Sequence, residues 1–224
     1  MAMTTRARGM VRVPLGFHRR GTGPAVAARE LSKSFGPIRA VQDVSFEVAW
    51  GEIFAFLGPD GAGKSTIIRM LGTLAEPTGG RAVVAGYDVV ERPRAVRRRA
   101  GLVSDDRALE IFRALPQAPD VLFVDEPRTG FDPGIRAGLW HDLRRVRDEG
   151  SAVLLTTSSM DEAERADRIA IIEDGRIVAL DSPTALKAKA GADDVFLHFA
   201  GRPIGPHGGD ELGAARRFIA ARRS

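Results

Sequence analysis

The chain has 224 residues, 44% hydrophobic and 28% charged, enough for one real core with at most a small appendage. It contains no Cys, which excludes a disulfide framework and thiolate or Cys-ligated zinc chemistry. The net charge of +4 sits at the ends: residues 1–30 and 201–224 hold eleven Arg against three acids, whereas residues 31–200 hold 22 basic and 26 acidic side chains, so no nucleic-acid partner is expected.

Residues 1–24 mix Arg, Gly and Pro without periodicity and read as a basic, loosely ordered tail. No apolar stretch follows Arg6, Arg8, Arg12, Arg19 and Arg20, so the tail does not read as a secretory signal. Two readings of the basic ends stand open: solvated tails, or segments that favour an anionic membrane surface. From Val26 the pattern changes. Val41 to Val48 mostly alternates, as in a half-buried strand, and Trp50-Gly51 makes a turn. Ile53-Phe54-Ala55-Phe56-Leu57 is an apolar run of the kind buried on both faces. A loop, Gly58 to Gly63, leads into a helix from Lys64 to Leu71 that stops at Gly72.

After a turn at Pro77-Thr78-Gly79-Gly80, a short strand is predicted at Arg81 to Ala85, then a basic helix at Pro93 to Arg99 whose arginines face solvent. Leu102-Val103 reads as a strand and Ala108 to Leu115 as a helix. Val121 to Val124 is a strand, Ile135 to Arg147 an amphipathic helix closed by Gly150, and Ala152 to Thr157 a strand. Asp161 to Ala166 is a short helix, and Ile169 to Ile172 and Arg176 to Leu180 flank a hairpin turn at Glu173-Asp174-Gly175. Ser182-Pro183 caps a last helix. Strands alternating with helices predict an α/β fold with a mostly parallel sheet. No apolar run is long enough to cross a bilayer, and the expectation is a cytoplasmic protein.

Gly58-Pro59-Asp60-Gly61-Ala62-Gly63-Lys64-Ser65 fits the pattern G-x-x-x-x-G-K-[ST], with an apolar strand before it and a helix after it. Small residues let backbone N–H groups converge on phosphate oxygens, and the helix start adds positive potential. Lys64 is one of only four lysines beside 29 arginines. It would reach the β- and γ-phosphates, and the Ser65 hydroxyl would bind Mg²⁺. The second element follows Val121 to Val124, 61 positions after Lys64: Asp125 would join the Mg²⁺ shell and Glu126 would polarise an attacking water. By itself such an acidic pair is also what a plain strand end carries.

The segments LSKSFGPIRAVQDVSFEV, GPDGAGKST, PTGGRAVVAGYDV, VLFVDEPRTGFDP and LLTTSSMDEAERADRIAIIEDGRIVALDSP carry a family resemblance over about Ala25 to Lys189. The chain resembles the ATP-binding subunits of ABC transporters, especially drug exporters of the daunorubicin-resistance kind. A GTPase would need an Asn-Lys-x-Asp base reader, which the sequence lacks. The resemblance implies a P-loop NTPase of ABC type, its core sheet flanked by helices beside an N-terminal antiparallel β region. It implies ATP and Mg²⁺ as cofactors, with residues Gly58 through Thr66 on the nucleotide and Phe35 stacked on adenine; a core aromatic is the lesser alternative for Phe35. It implies a membrane permease as partner, a homodimer or a heterodimer with another ATP-binding subunit, and a place at the inner face of the cell membrane. Gly130-Phe131-Asp132 would face the partner subunit, while Asp132-Pro133 could also cap the next helix.

The sequence departs from the family in four places. After Gly101-Leu102-Val103, where the family has a Gln, stands Ser104-Asp105. No helical subdomain or Ser-Gly-Gly signature follows; Arg107 to Pro119 instead resembles what comes after that signature, so the junction falls near 104–107. Ser158 stands where the family places a His on the γ-phosphate, though it could be a strand-end polar residue. Arg128 replaces a small hydroxyl residue. The expected domain plan is a tail at 1–24, the nucleotide-binding domain at 25–190, and a remnant of an accessory segment with a basic tail at 191–224. Two functions stay open: an ATPase subunit of a drug exporter, and a degenerate module that binds Mg-ATP without turnover, in an internally deleted relative. A P-loop kinase is disfavoured by the lack of a recognisable acceptor site or lid.

Overall fold

The computed structural model describes residues 22–104, 118–126, 133–190 and 195–200. Most of the N-terminal tail, the Asp105-Asp106 junction, the predicted helix Ala108 to Leu115, Arg128, the Gly130-Phe131-Asp132 loop and the end beyond residue 200 lie outside the described residues.

Two sheets form. The first is antiparallel, with strands β1 (Val26–Phe35), β2 (Ile38–Val48), β4 (Gly79–Val84) and β5 (Tyr87–Asp88) in the order β2-β1-β4-β5. The second holds β3 (Ile53–Leu57), β6 (Ala100–Val103), β7 (Val121–Asp125), β8 (Ala152–Thr157), β9 (Arg168–Glu173) and β10 (Arg176–Asp181) in the order β10-β9-β3-β8-β7-β6. Every pairing in it is parallel except the β9–β10 hairpin at its edge. The continuous apolar runs become its centre: all five residues of β3 and all six of β8 are buried.

Side-chain alternation divides this sheet between two cores. Phe54 and Phe56 of β3 join Phe123, Leu154 and Ile172 on the face covered by the antiparallel sheet and helix α1 (Lys64–Leu71). Ile53, Ala55 and Leu57 point the other way, against helix α3 (Pro133–Asp148). There Leu139, Leu143 and Val146 recur at helical spacing and are buried. Phe46 links the sheets, with ring centroids 5.5 Å from Phe54 and 5.2 Å from Phe56. Among the described residues, no helix is long and apolar enough to cross a membrane.

Among the described residues the predicted elements stand, some with their predicted ends, as at Lys64–Leu71, Pro93–Arg99 and Ala152–Thr157, and others with shifted ones. The alternation of Val41 to Val48 slips once because Asp43 has a φ of 53° and forms part of a bulge against β1, so two residues rather than one separate buried Val41 from buried Val44. Helix α4 (Met160–Ala163) is shorter than the predicted Asp161 to Ala166. Strand β1, of ten residues, and strand β5, of two, were not predicted as elements, nor was helix α6 (Val195–Ala200), which packs Phe196 against the second core beside α5 (Pro183–Ala190). Helix α2 (Pro93–Arg99) exposes Arg94, Arg97 and Arg98 as expected, whereas Arg99 is mostly buried and pairs with Asp120 at 2.8 Å.

Strand β6 pairs with β7 in parallel, Ala100 opposite Val121 and Val103 opposite Val124. Parallel neighbours need a crossover of roughly a dozen residues or more, and the 17 residues from Ser104 to Asp120 satisfy that. The parallel sheet is therefore closed without the longer segment that the family resemblance implies.

Asp88 fixes the turn after β5. Its carboxylate accepts N–H bonds from Val90 (2.9 Å) and Glu91 (3.0 Å) and one from Arg81 Nε (2.7 Å). Burial pushes its pKa up, but the hydrogen bonds from Glu91, Val90 and Arg81 outweigh burial and hold it below the usual 3.8. A carboxyl depressed in the folded state contributes stability above its unfolded pKa and loses it as pH falls through the folded value. Asp88→Asn should therefore cost about 1–3 kcal/mol at pH 7 in urea unfolding, with the gap to wild type closing toward pH 3. A gap that stays constant over that range would contradict this reading.

Candidate functional site

The site lies where β3, β7 and β8 end side by side. The loop Gly58–Gly63 leaves β3, and Gly58 N–H donates to the Thr157 carbonyl at the end of β8 (3.3 Å). Two of its glycines are required by packing. A Cβ on Gly58 would run into the Ile172 carbonyl oxygen, and one on Gly63, at φ 102°, would run into that of Ala40. The loop is thus clamped between β9 and β2. Pro59 is half-buried, Asp60 and Gly61 form the exposed tip, and Ala62 is buried. Among the described residues, the N–H groups of Gly63, Lys64 and Ser65 find no acceptor. These converging donors at the head of α1 make a seat for an anion.

Lys64 is 2% exposed, and its ammonium is matched by two hydrogen bonds and one ion pair. It bonds the Gly58 and Pro59 carbonyls, both at 2.9 Å, and stands 3.2 Å from Glu126 Oε1. The adjacent Ser65 hydroxyl donates to Asp125 Oδ1 at 2.8 Å. Thr66 is half-buried on the same first turn. Ser65 and Asp125 offer a hydroxyl and a carboxylate to the same spot, hard oxygen donors that suit Mg²⁺. No group of three or more His, Cys, Asp or Glu is clustered among the described residues. The pair therefore fits an ion that takes its other oxygens from phosphate and water.

Thr156 was missed by the sequence reading. It is fully buried, lies opposite Asp125 in the β7–β8 register, donates to Asp125 Oδ1 at 2.7 Å and accepts Glu126 N–H at 2.9 Å. Glu126 itself has a φ of 46°, in the left-handed region. The only local signal was a hydroxyl at the end of an apolar strand. Ser158, two residues on, is half-buried beside the start of the loop, because Thr157 both receives Gly58 N–H and bonds Glu162 Oε2 at 2.8 Å.

Phe35 is 53% exposed, so it is not a core aromatic. It ends β1 opposite Ile38, with Lys33 Nζ 5.0 Å from its ring centroid. The hairpin that carries it continues into Ala40, whose carbonyl meets Gly63. The structure thus brings Gly58–Thr66, Asp125, Glu126 and Ser158 together and leaves Phe35 as an exposed ring on the neighbouring hairpin.

A family described as "ABC transporter" matches residues 41–109. The daunorubicin resistance ATP-binding protein DrrA2 of Streptomyces coeruleorubidus is 33% identical over 237 aligned positions, which cover 80% of this chain and 74% of that protein. This chain belongs to the ATP-binding subunits of ABC transporters. Within them it groups with the drug-exporter type: the daunorubicin/doxorubicin resistance ATP-binding protein DrrA of Streptomyces peucetius is 32% identical over 254 positions, 88% of this chain and 75% of that one. A solved ATP-binding subunit of an ABC transporter shares the fold, with a TM-score of 0.65 at 23% identity over 75% of this chain and 93% of that one. In this ABC subunit the antiparallel sheet lies against the parallel core, as the fold class requires.

Proposed function

We propose that this chain is the ATP-binding subunit of a drug-exporter-type ABC transporter and acts on a separate membrane permease at the inner face of the cell membrane. The observation that carries the reading is the convergence of Lys64, Ser65, Asp125 and Glu126 at the mouth of a clamped glycine loop. The open backbone N–H groups of Gly63, Lys64 and Ser65 hold the phosphates, with the Lys64 ammonium on the outer two. Ser65 and Asp125 hold Mg²⁺, which neutralises charge on the phosphates when bound. Glu126 orients and deprotonates the attacking water, Phe35 stacks on adenine, and Ser158 reaches the γ-phosphate with one hydroxyl in place of an imidazole.

We further propose that the helical subdomain and its signature are deleted between Ser104 and Arg107. Length supports this. The 237 positions aligned with the Streptomyces coeruleorubidus relative take up 80% of 224 residues, about 179, so about 58 of those positions face gaps in this chain. The Streptomyces peucetius alignment gives about 57 by the same subtraction of 197 from 254. The closed β6–β7 pair supports a core that assembles across the junction. A productive site would then borrow its signature from a second, intact ATP-binding subunit in a heterodimer. The lost signature and Ser158 favour one other reading: a module that binds Mg-ATP without turnover.

Calorimetry of the full chain with Mg-ATP tests the shared part, and absence of heat on folded protein would overturn both readings. Single-turnover phosphate release, alone and mixed with an intact family member, separates them. Release on mixing that exceeds the sum of the two proteins' separate rates supports the exporter subunit, and release by this chain equal to the ATP-only background, with no gain over that sum on mixing, supports the silent module.

A further inference from the structure

One hydroxyl, that of Thr156, bridges the two members of the acidic pair at the end of β7. We propose that Thr156 is a positioning residue that ties the Mg²⁺ carboxylate of Asp125 to the backbone of Glu126, so that ion and attacking water are set in one register; this rests on the functional reading above. A threonine hydroxyl has one proton. Thr156 Oγ1 sends it to Asp125 Oδ1 at 2.7 Å, so it can only accept at its contact with Glu126 N–H at 2.9 Å. The resulting chain runs one way, from Glu126 N–H through Thr156 to Asp125.

Three consequences follow. Asp125 Oδ1 receives both the Ser65 and the Thr156 hydroxyls, which fixes the carboxylate plane and leaves Oδ2 without a hydrogen-bond donor among the described residues, as a cation or its water requires. The Glu126 backbone, at φ 46°, is held in a conformation that side-chain-bearing residues seldom adopt. Because Thr156 is fully buried on β8, between β3 and β7, its hydroxyl cannot drift with the loops. Partners of this kind, one step behind a metal's own oxygen donors, set metal affinity by factors of about 10–100.

The test is calorimetric titration of the full chain with ATP, once with Mg²⁺ and once with EDTA, for wild type, Thr156→Val and Thr156→Ser. Thr156→Val should weaken binding about tenfold or more with Mg²⁺ and leave the EDTA value within about twofold, while Thr156→Ser should recover the wild-type value in both. Equal binding by Thr156→Val and wild type in Mg²⁺ would overturn the proposal alone, and so would an equal loss with and without Mg²⁺. A wild type silent to ATP would overturn the functional reading and this inference together. Should Thr156→Val not fold, Thr156→Ala offers the same contrast with Thr156→Ser. If neither hydroxyl-free variant folds while Thr156→Ser does, the hydroxyl serves stability and the proposal is wrong.

Discussion

Lys64→Met should weaken Mg-ATP binding by about a hundredfold or more while leaving the fold intact. The size follows from the contacts. An ammonium that is 2% exposed is matched by two carbonyls and a carboxylate, and on binding it exchanges some of these for phosphate oxygens. Hydrogen bonds to charged groups contribute about 1.5–3 kcal/mol each, and two such bonds to phosphates amount to roughly two decades or more in affinity. Methionine keeps the stem that fills the channel, so packing survives, and the lost desolvation cost of the ammonium offsets much of what the Gly58 and Pro59 carbonyls and Glu126 lose as its partners. Thermal unfolding without nucleotide should therefore shift little. Lys64→Arg should not restore binding, because a planar guanidinium does not fit a channel closed around a point charge. Calorimetry read beside circular dichroism decides the matter: a folded Lys64→Met protein that binds within threefold of wild type would move the triphosphate away from this loop.

How far the sequence reached can be seen residue by residue. The glycine loop and its helix were legible because their signal is local. The φ of 102° at Gly63 and the open amides at the head of α1 follow from a pattern eight residues long. The buried parallel strands were legible for the same reason, as runs without polar interruption. Phe35 was legible only through the family resemblance, because β1 does not alternate and so gives no local sign of which side its terminal aromatic takes; the structure leaves the ring 53% exposed. Thr156 depends on a register between strands about thirty positions apart, which no local pattern encodes. Helix α6 has a sequence, Val-Phe-Leu-His-Phe-Ala, whose aromatic and β-branched residues lean toward strand; burying Phe196 and Val195 against the second core outweighs that leaning.

Glu126→Gln should separate turnover from binding. The amide keeps the shape of the carboxylate and its backbone N–H bond to Thr156, so the Asp125 side of the site stays in place. It cannot take a proton from water, and loss of a general base slows the chemical step by about 10²–10⁴-fold. Binding should move the other way. Glu126 Oε1 stands 3.2 Å from Lys64 Nζ, so its charge competes with phosphate for the ammonium and repels the triphosphate. With that charge gone, Mg-ATP affinity should rise several-fold, as weakening the competing pair frees Lys64. Calorimetry and single-turnover phosphate release on the same protein read the two effects apart. A variant that loses affinity and rate together would mean that Glu126 serves the shape of the loop rather than the water. A wild-type rate no greater than that of Lys64→Met, with affinity in Glu126→Gln still raised, would keep the phosphate seat and remove Glu126 from any working reaction, because the ion pair alone accounts for the gain in binding.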